Sequence, residues 1–190
     1  MTTGTASVEN LVQSSFSEAW ELFKDNAVLI VLASLVATIV MVVSLGILTG
    51  PMTVGMIGIV RKRLRGEAAS VTDVFDGLSS FGTSFVTVLL VAVGVIVGSI
   101  LCLLPGLVFA VAAVFSLHEV TYRSAGAVDA IKGSMNLVKE NVGSVVVLLL
   151  AAIVVSAVCG LVPIIGAVLS TAFVTVLILV AYEKLAGFRQ

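Results

Sequence analysis

The chain has 190 residues, 59% of them hydrophobic and only 11% charged, with a net charge of -1 and a mean hydropathy of +1.24. A soluble domain usually carries about 25% charged residues, so an ordinary water-soluble fold is excluded. A nucleic-acid partner, which would need a basic face, is excluded by the same balance.

The polar stretch from Met1 to Asp25 has no basic segment leading into an apolar run, so it does not read as a secretory signal. Its periodicity predicts an amphipathic helix instead. Val8, Leu11, Val12, Phe16, Ala19, Trp20 and Phe23 share one face, opposite Glu9, Gln13, Glu18, Glu21 and Asp25. Because that polar face is acidic, the helix is expected to dock on its own bundle or on a partner rather than to sense anionic lipid.

Three stretches then carry no Asp, Glu, Lys or Arg: Asn26 to Val60, Gly77 to His118 and Asn141 to Tyr182. A spanning helix needs about 20 apolar residues, so each stretch accommodates two spans and a tight turn. Six transmembrane helices are expected, in an all-α integral membrane protein forming a single domain over 1–190. The second helix of the first pair is short, with only Pro51 to Val60 ahead of Arg61, and is expected to tilt or to be shielded by its neighbours. Two further amphipathic helices precede the later stretches. One opens on Ser70-Val71-Thr72-Asp73, a capping-box pattern, and continues through Val74, Phe75, Leu78 and Phe81. The other aligns Val128, Ile131, Met135 and Val138.

These elements keep register as three copies of one unit, spanning approximately 7–66, 70–126 and 127–187. Pro51, Pro105 and Pro163 each fall near the middle of a charge-free stretch. A polar hinge precedes each stretch: Lys24-Asp25-Asn26, Phe81-Gly82-Thr83 and Lys139-Glu140-Asn141. Each unit closes on a glycine, in Arg65-Gly66, Ala125-Gly126 and Ala186-Gly187. The predicted unit is an amphipathic helix followed by a helical hairpin.

Every Lys and Arg falls on one side of this topology: Lys24, Arg61, Lys62, Arg63, Arg65, Arg123, Lys132, Lys139, Lys184 and Arg189. The positive-inside rule places both termini and the amphipathic helices in the cytoplasm.

Few residues offer chemistry. His118, the single histidine, adjoins Glu119; the pair reads as an ionisable functional pair, or as a helix end in the headgroup zone with Glu119 bound to Arg123 at i,i+4. Arg61, Lys62, Arg63 and Arg65, with Trp20, are candidates for lipid or partner contact, although the basic cluster also serves as a stop signal. Gly46 with Gly50 and Gly94 with Gly98 have the spacing of close helix packing. Cys102 and Cys159 would pair if their hairpins adjoin in an oxidising compartment; small apolar packing is the more ordinary role. No nucleophile, metal-ligand or phosphate-cradle pattern occurs, so no catalytic residue, metal or cofactor is expected.

Several residues together resemble a broad, poorly characterised set of small six-helix membrane proteins of bacteria and archaea. The set is similar to the membrane domain attached to some glycerophosphoryl diester phosphodiesterases. The residues are Phe16-Ser17-Glu18-Ala19-Trp20 through Asn26, Gly55, the Arg61-to-Gly66 turn, Leu104-Pro105-Gly106, Glu119, Ala130 with Ser134, Leu137 to Asn141, and Tyr182. The resemblance implies no activity for this chain, because catalysis in those enzymes belongs to a separate soluble domain. The expected function is therefore a non-catalytic scaffold or accessory subunit working through its cytoplasmic helices. Its partners would be membrane lipids and a protein, which could be a second copy. A small transporter or channel for an apolar or lipid-like solute is the rival, and membrane shaping a third reading.

Overall fold

A computed structural model describes residues 3–101, 103–160 and 165–188; Cys102, Pro163 and Arg189 lie outside the described residues. Among the described residues every regular element is helical. In chain order these are α1 (Thr3–Asp25), α2 (Ala27–Val43), α3 (Thr49–Leu64), a 3₁₀ segment (Val71–Ser80), α4 (Phe81–Leu101), α5 (Leu103–Ala112), α6 (Ser116–Arg123), α7 (Ala127–Glu140), α8 (Val142–Cys159) and α9 (Ile165–Leu185). Long apolar runs take this form because backbone polar groups in lipid must pair within the helix.

Four stretches are long and apolar enough to cross a membrane: Val71–Leu101, Leu103–Arg123, Val142–Cys159 and Gly166–Leu185. A fifth arises if α1 and α2, bent by 90° at Asn26, are taken together as one broken span. The protein is thus a helical, membrane-embedded one, with fewer qualifying spans than the six expected. The shortfall lies in the first hairpin, where α2 has 17 residues and α3 ends on Arg61, Lys62 and Arg63.

The physical reason is that α3 is a core element. Pro51, Met52, Val54, Met56, Ile57, Ile59 and Val60 are all buried. The 3₁₀ segment packs along α3, with α2, α4, α6 and α9 around the remainder. Helix α9 is the second core element, burying Phe173, Val176, Leu177, Leu179, Val180 and Tyr182. By contrast α4 and α8 expose Val93, Ile96, Ile100, Val146, Leu150, Ile153 and Val154. Such an apolar exterior suits acyl chains rather than water.

The joints have identifiable causes. Asn26 and Asn141 occupy nearly the same backbone conformation, φ -124° and ψ 20° against φ -130° and ψ 31°. Each donates from its side-chain amide to the carbonyl four residues back, Leu22 and Leu137, at 3.0 Å. The second joint differs: Phe81 is αR, at φ -49° and ψ -53°, so the 3₁₀ segment runs into α4 without a break at Phe81-Gly82-Thr83. The expected start of that segment does form, as a Ser70/Asp73 capping box. The unit ends also vary, since Gly66 and Gly187 are left-handed at φ 73° and 75° but Gly126 is extended, and Ser124 takes the left-handed position at φ 50°. Pro51 and Pro105 sit in the first turns of α3 and α5 rather than in the preceding turns, where the missing N–H costs nothing.

Close packing falls on glycines, though not all those expected. Gly55 abuts the backbone of Val74 and Gly77 that of Pro51, so α3 and the 3₁₀ segment meet backbone to backbone. A Cβ on Gly50 would collide with the Ser84 carbonyl. Gly94 faces the Phe109 ring, and Gly98 faces Gly106 across the α4–α5 hairpin. Gly46 is not a packing residue; at φ 85° it shapes the α2–α3 turn, with only Thr49 within van der Waals range. Gly58 has open space around it. Gly77→Ala should therefore destabilise the folded protein by about 1–3 kcal/mol through overpacking. Gly58→Ala should stabilise it by up to about 1 kcal/mol through helix propensity. Reversible unfolding in mixed detergent micelles, followed by circular dichroism, checks both signs.

Candidate functional site

The charged ends of the helices gather side chains that the sequence places far apart. Helices α6 and α9 each present a Tyr and a Glu: Glu119 and Tyr122 on α6, Tyr182 and Glu183 on α9. They pair reciprocally. The Tyr182 hydroxyl donates to Glu119 Oε1 at 3.0 Å, and the Tyr122 hydroxyl donates to Glu183 Oε1. Glu119 and Glu183 are both buried, 3% and 4% exposed, which a carboxylate tolerates only with partners.

Arginines flank the clasp. Arg123 Nε lies 3.3 Å from Glu119 Oε2. The Arg61 guanidinium stacks over the Tyr122 ring, 4.3 Å from its centroid, and donates from Nη1 to the Thr121 carbonyl at 3.3 Å. Phe188 covers both tyrosine rings. On α7, a Cβ added at Gly133 would meet the Glu119 carboxyl at 3.0 Å, so a larger residue there would push on that carboxyl.

The ion pair between Glu119 and Arg123 is the one expected from their spacing. His118 and Glu119 are 6% and 3% exposed, so both side chains are enclosed by protein. The His118 ring sits 5.8 Å from Phe115 and 5.2 Å from Tyr182, centroid to centroid. Neither ring nitrogen has a hydrogen-bond partner among the described residues. Just before it the chain leaves helical geometry between Ala112 and Ser116. Ser134 of α7 repairs that break: its Oγ accepts from the Phe115 N–H at 3.0 Å and donates to the Ala112 carbonyl at 2.7 Å. Satisfying freed backbone groups in this way is a requirement at membrane depth.

The basic cluster divides between two recesses. Arg61 stacks on Tyr122 and bonds Thr121. Lys62 bridges Asp73 at 2.8 Å and Asp76 at 3.4 Å, pinning the 3₁₀ segment to α3; the Asp73 hydrogen bond raises its pKa above the ordinary lysine value. Arg61, Lys62 and Arg65 line one recess with Gly58 and Glu67, and Arg63 lies in another with Lys24. Trp20 lies beside Phe23 and edge-on to Phe173, docking α1 on α9. Lys184 bonds Glu18 at 3.0 Å and Ser14 at 3.1 Å, tying the same two helices. Cys159 has a free thiol, and Cys102 falls outside the described residues.

Tyr182, Glu183, Tyr122 and Ser134 were not singled out as site residues by sequence reasoning. Their one signal is that the chain's two tyrosines each adjoin a charged residue, in Tyr122-Arg123 and Tyr182-Glu183. Among the described residues no three His, Cys, Asp or Glu side chains converge as a metal site.

No family model matches the chain, and no solved structure matches it. It is similar to three mycobacterial proteins, each 30% identical over 108 residues, which is 57% of this chain and 33% of theirs. They are the uncharacterized proteins Rv2560 of Mycobacterium tuberculosis H37Rv, Mb2590 of Mycobacterium bovis and MT2637 of Mycobacterium tuberculosis CDC 1551. The matched stretch spans about a third of those proteins.

The reciprocal clasp predicts energetic coupling between α6 and α9. Tyr182→Phe should cost about 1–3 kcal/mol, because it removes the hydroxyl donor from a buried carboxylate and leaves it only Arg123. Glu119→Gln combined with Tyr182→Phe should cost measurably less than the two single losses added together. A double-mutant cycle in detergent measures the coupling; strict additivity would sink the clasp.

Proposed function

We propose that the protein is a non-catalytic, multi-pass membrane scaffold or accessory subunit that engages a partner through the charged end of its bundle. The observation that carries this reading is the placement of α1. Its apolar face is spent on the protein's own α9, through Phe16, Trp20 and Phe23 against Phe173. Its acidic face, with Glu9, Gln13 and Glu21, remains exposed. Asp129, Lys132 and Glu140 on α7 and Asp76 in the 3₁₀ segment are exposed too. Recognition surface is therefore concentrated at that end, while the bulk of the remaining surface is apolar.

In this reading α2 and α3 complete six spans, α3 crossing as a helix sheathed by protein, and the chain is three units of interfacial segment plus hairpin. The matched asparagine joints before α2 and α8 support the repeat. The charged ends face the cytoplasm of a prokaryotic cell, as the positive-inside rule requires. Cysteine labelling tests this topology in a Cys102→Ser, Cys159→Ser background. Ile47→Cys, in the exposed α2–α3 turn, should react with a membrane-impermeant maleimide on intact cells. Glu67→Cys should react only after permeabilisation.

Transport of an apolar or lipid-like solute is the second reading, favoured by the buried and unpartnered His118. Hydroxyls on the apolar helices speak against it. Ser99, Ser156 and Thr171 are exposed, and Thr38, Thr171 and Thr175 bond carbonyls of their own helices.

Photo-crosslinking from probes at Asn10 and Ser17, exposed on the same face of α1, in intact membranes, followed by mild-detergent purification, tests the scaffold. A discrete adduct should appear and should vanish in Glu9→Lys, Glu21→Lys protein. An adduct-free monomer, together with solute flux in proteoliposomes, would replace this reading with transport.

A further inference from the structure

The 90° bend at Asn26 creates a recess of about 430 Å³ between the end of α1, the start of α2 and the basic end of α3. Lys24 and Arg63 supply its positive charge and Asp25 a single carboxylate. Leu29, Leu32 and Val71 make its apolar wall. We propose that this recess binds the headgroup of a single-phosphate anionic glycerophospholipid, with the phosphate between Lys24 and Arg63.

Three observations select a lipid. First, the two cations are uncommitted. Among the described residues neither forms an ion pair, whereas Lys62, Arg123 and Lys184 all do. Lys24 only approaches the Trp20 ring, at 5.9 Å. Arg63 makes one long bond, Nη1 to the Glu67 carbonyl at 3.4 Å, and its buried Nε has no partner. An unsatisfied buried guanidinium nitrogen is costly, and a phosphate oxygen is its natural acceptor.

Second, the recess continues into an apolar flank. Val28 and Leu32 are 75% and 45% exposed on α2, with Leu35 and Ile39 beyond them. A free phosphate would leave that flank bare, whereas acyl chains would run along it. Third, the charge count limits the headgroup. Two cations against Asp25 balance one phosphate, and the carboxylate can accept hydrogen bonds from glycerol hydroxyls, so phosphatidylglycerol fits. The inference rests on α2 lying in the membrane and is independent of any protein partner.

Trp20, the chain's single tryptophan, lies beside Lys24 and reports on this recess. The full chain, reconstituted in brominated phosphatidylcholine, is mixed with increasing phosphatidylglycerol or with unbrominated phosphatidylcholine. Relief of Trp20 quenching then gives the relative affinity. Phosphatidylglycerol should be preferred by about fivefold for each engaged cation. Lys24→Gln and Arg63→Gln should each remove about that factor, and Lys132→Gln on α7 should leave the preference intact. Each variant is compared with its own phosphatidylcholine baseline, so changes in intrinsic emission cancel. Lys24 is exposed and outside the core, so its variant carries the test even if Arg63→Gln fails to fold. Parity of the two lipids, or an equal loss in Lys132→Gln, would overturn the site. Inorganic phosphate abolishing the preference would assign the recess to the free anion and overturn the lipid.

Discussion

The fold depends on a helix that cannot meet the membrane by itself. The apolar segment ahead of Arg61 in α3 runs only from Pro51 to Val60, and lipid around so short a segment would reach its charges. Wrapping α3 in protein resolves the conflict. The wrap is close because Gly55 and Gly77 let the 3₁₀ segment lie backbone to backbone against it, and Lys62 then locks that segment through Asp73. The first hairpin thus becomes the centre, and the more apolar α4 and α8 become the wall.

From that centre the polar interactions follow. With α3 packed against both α6 and α9, the ends of those helices come within reach of long side chains. Glu119 and Tyr182, Tyr122 and Glu183 close over it, and Arg61 at the end of α3 stacks on Tyr122. The clasp costs two buried carboxylates and gains a specific register between helices that otherwise slide on apolar surfaces. Buried polar networks of this kind act only when their members are satisfied. His118 beside the clasp departs from this, since neither ring nitrogen has a partner among the described residues.

Local features were legible in the sequence, while features made by distant packing were not. The charge-free stretches mark apolar helices, and Asn26 and Asn141 mark their bends, because one side chain and the carbonyl four residues earlier suffice to make such a joint. The second joint was misread because Phe81-Gly82-Thr83 offers no side-chain amide to end the preceding turn. Gly46 and Gly50 share a helical spacing, yet the α2–α3 turn falls between them and gives them different tasks. Burial of Glu119 and Glu183 could not be seen locally. A charge next to an apolar run looks like a helix end in water until a helix about sixty residues away supplies its hydroxyl.

The seating of α1 also sets an order of events during synthesis. Phe16, Trp20 and Phe23 are made well before Phe173 and Lys184, which receive that helix. Until α9 emerges from the ribosome, the greasy face of α1 lacks the ring it packs against. A helix of this character lies readily at a bilayer interface. Seating of α1 on the protein is completed only once α9 is in place.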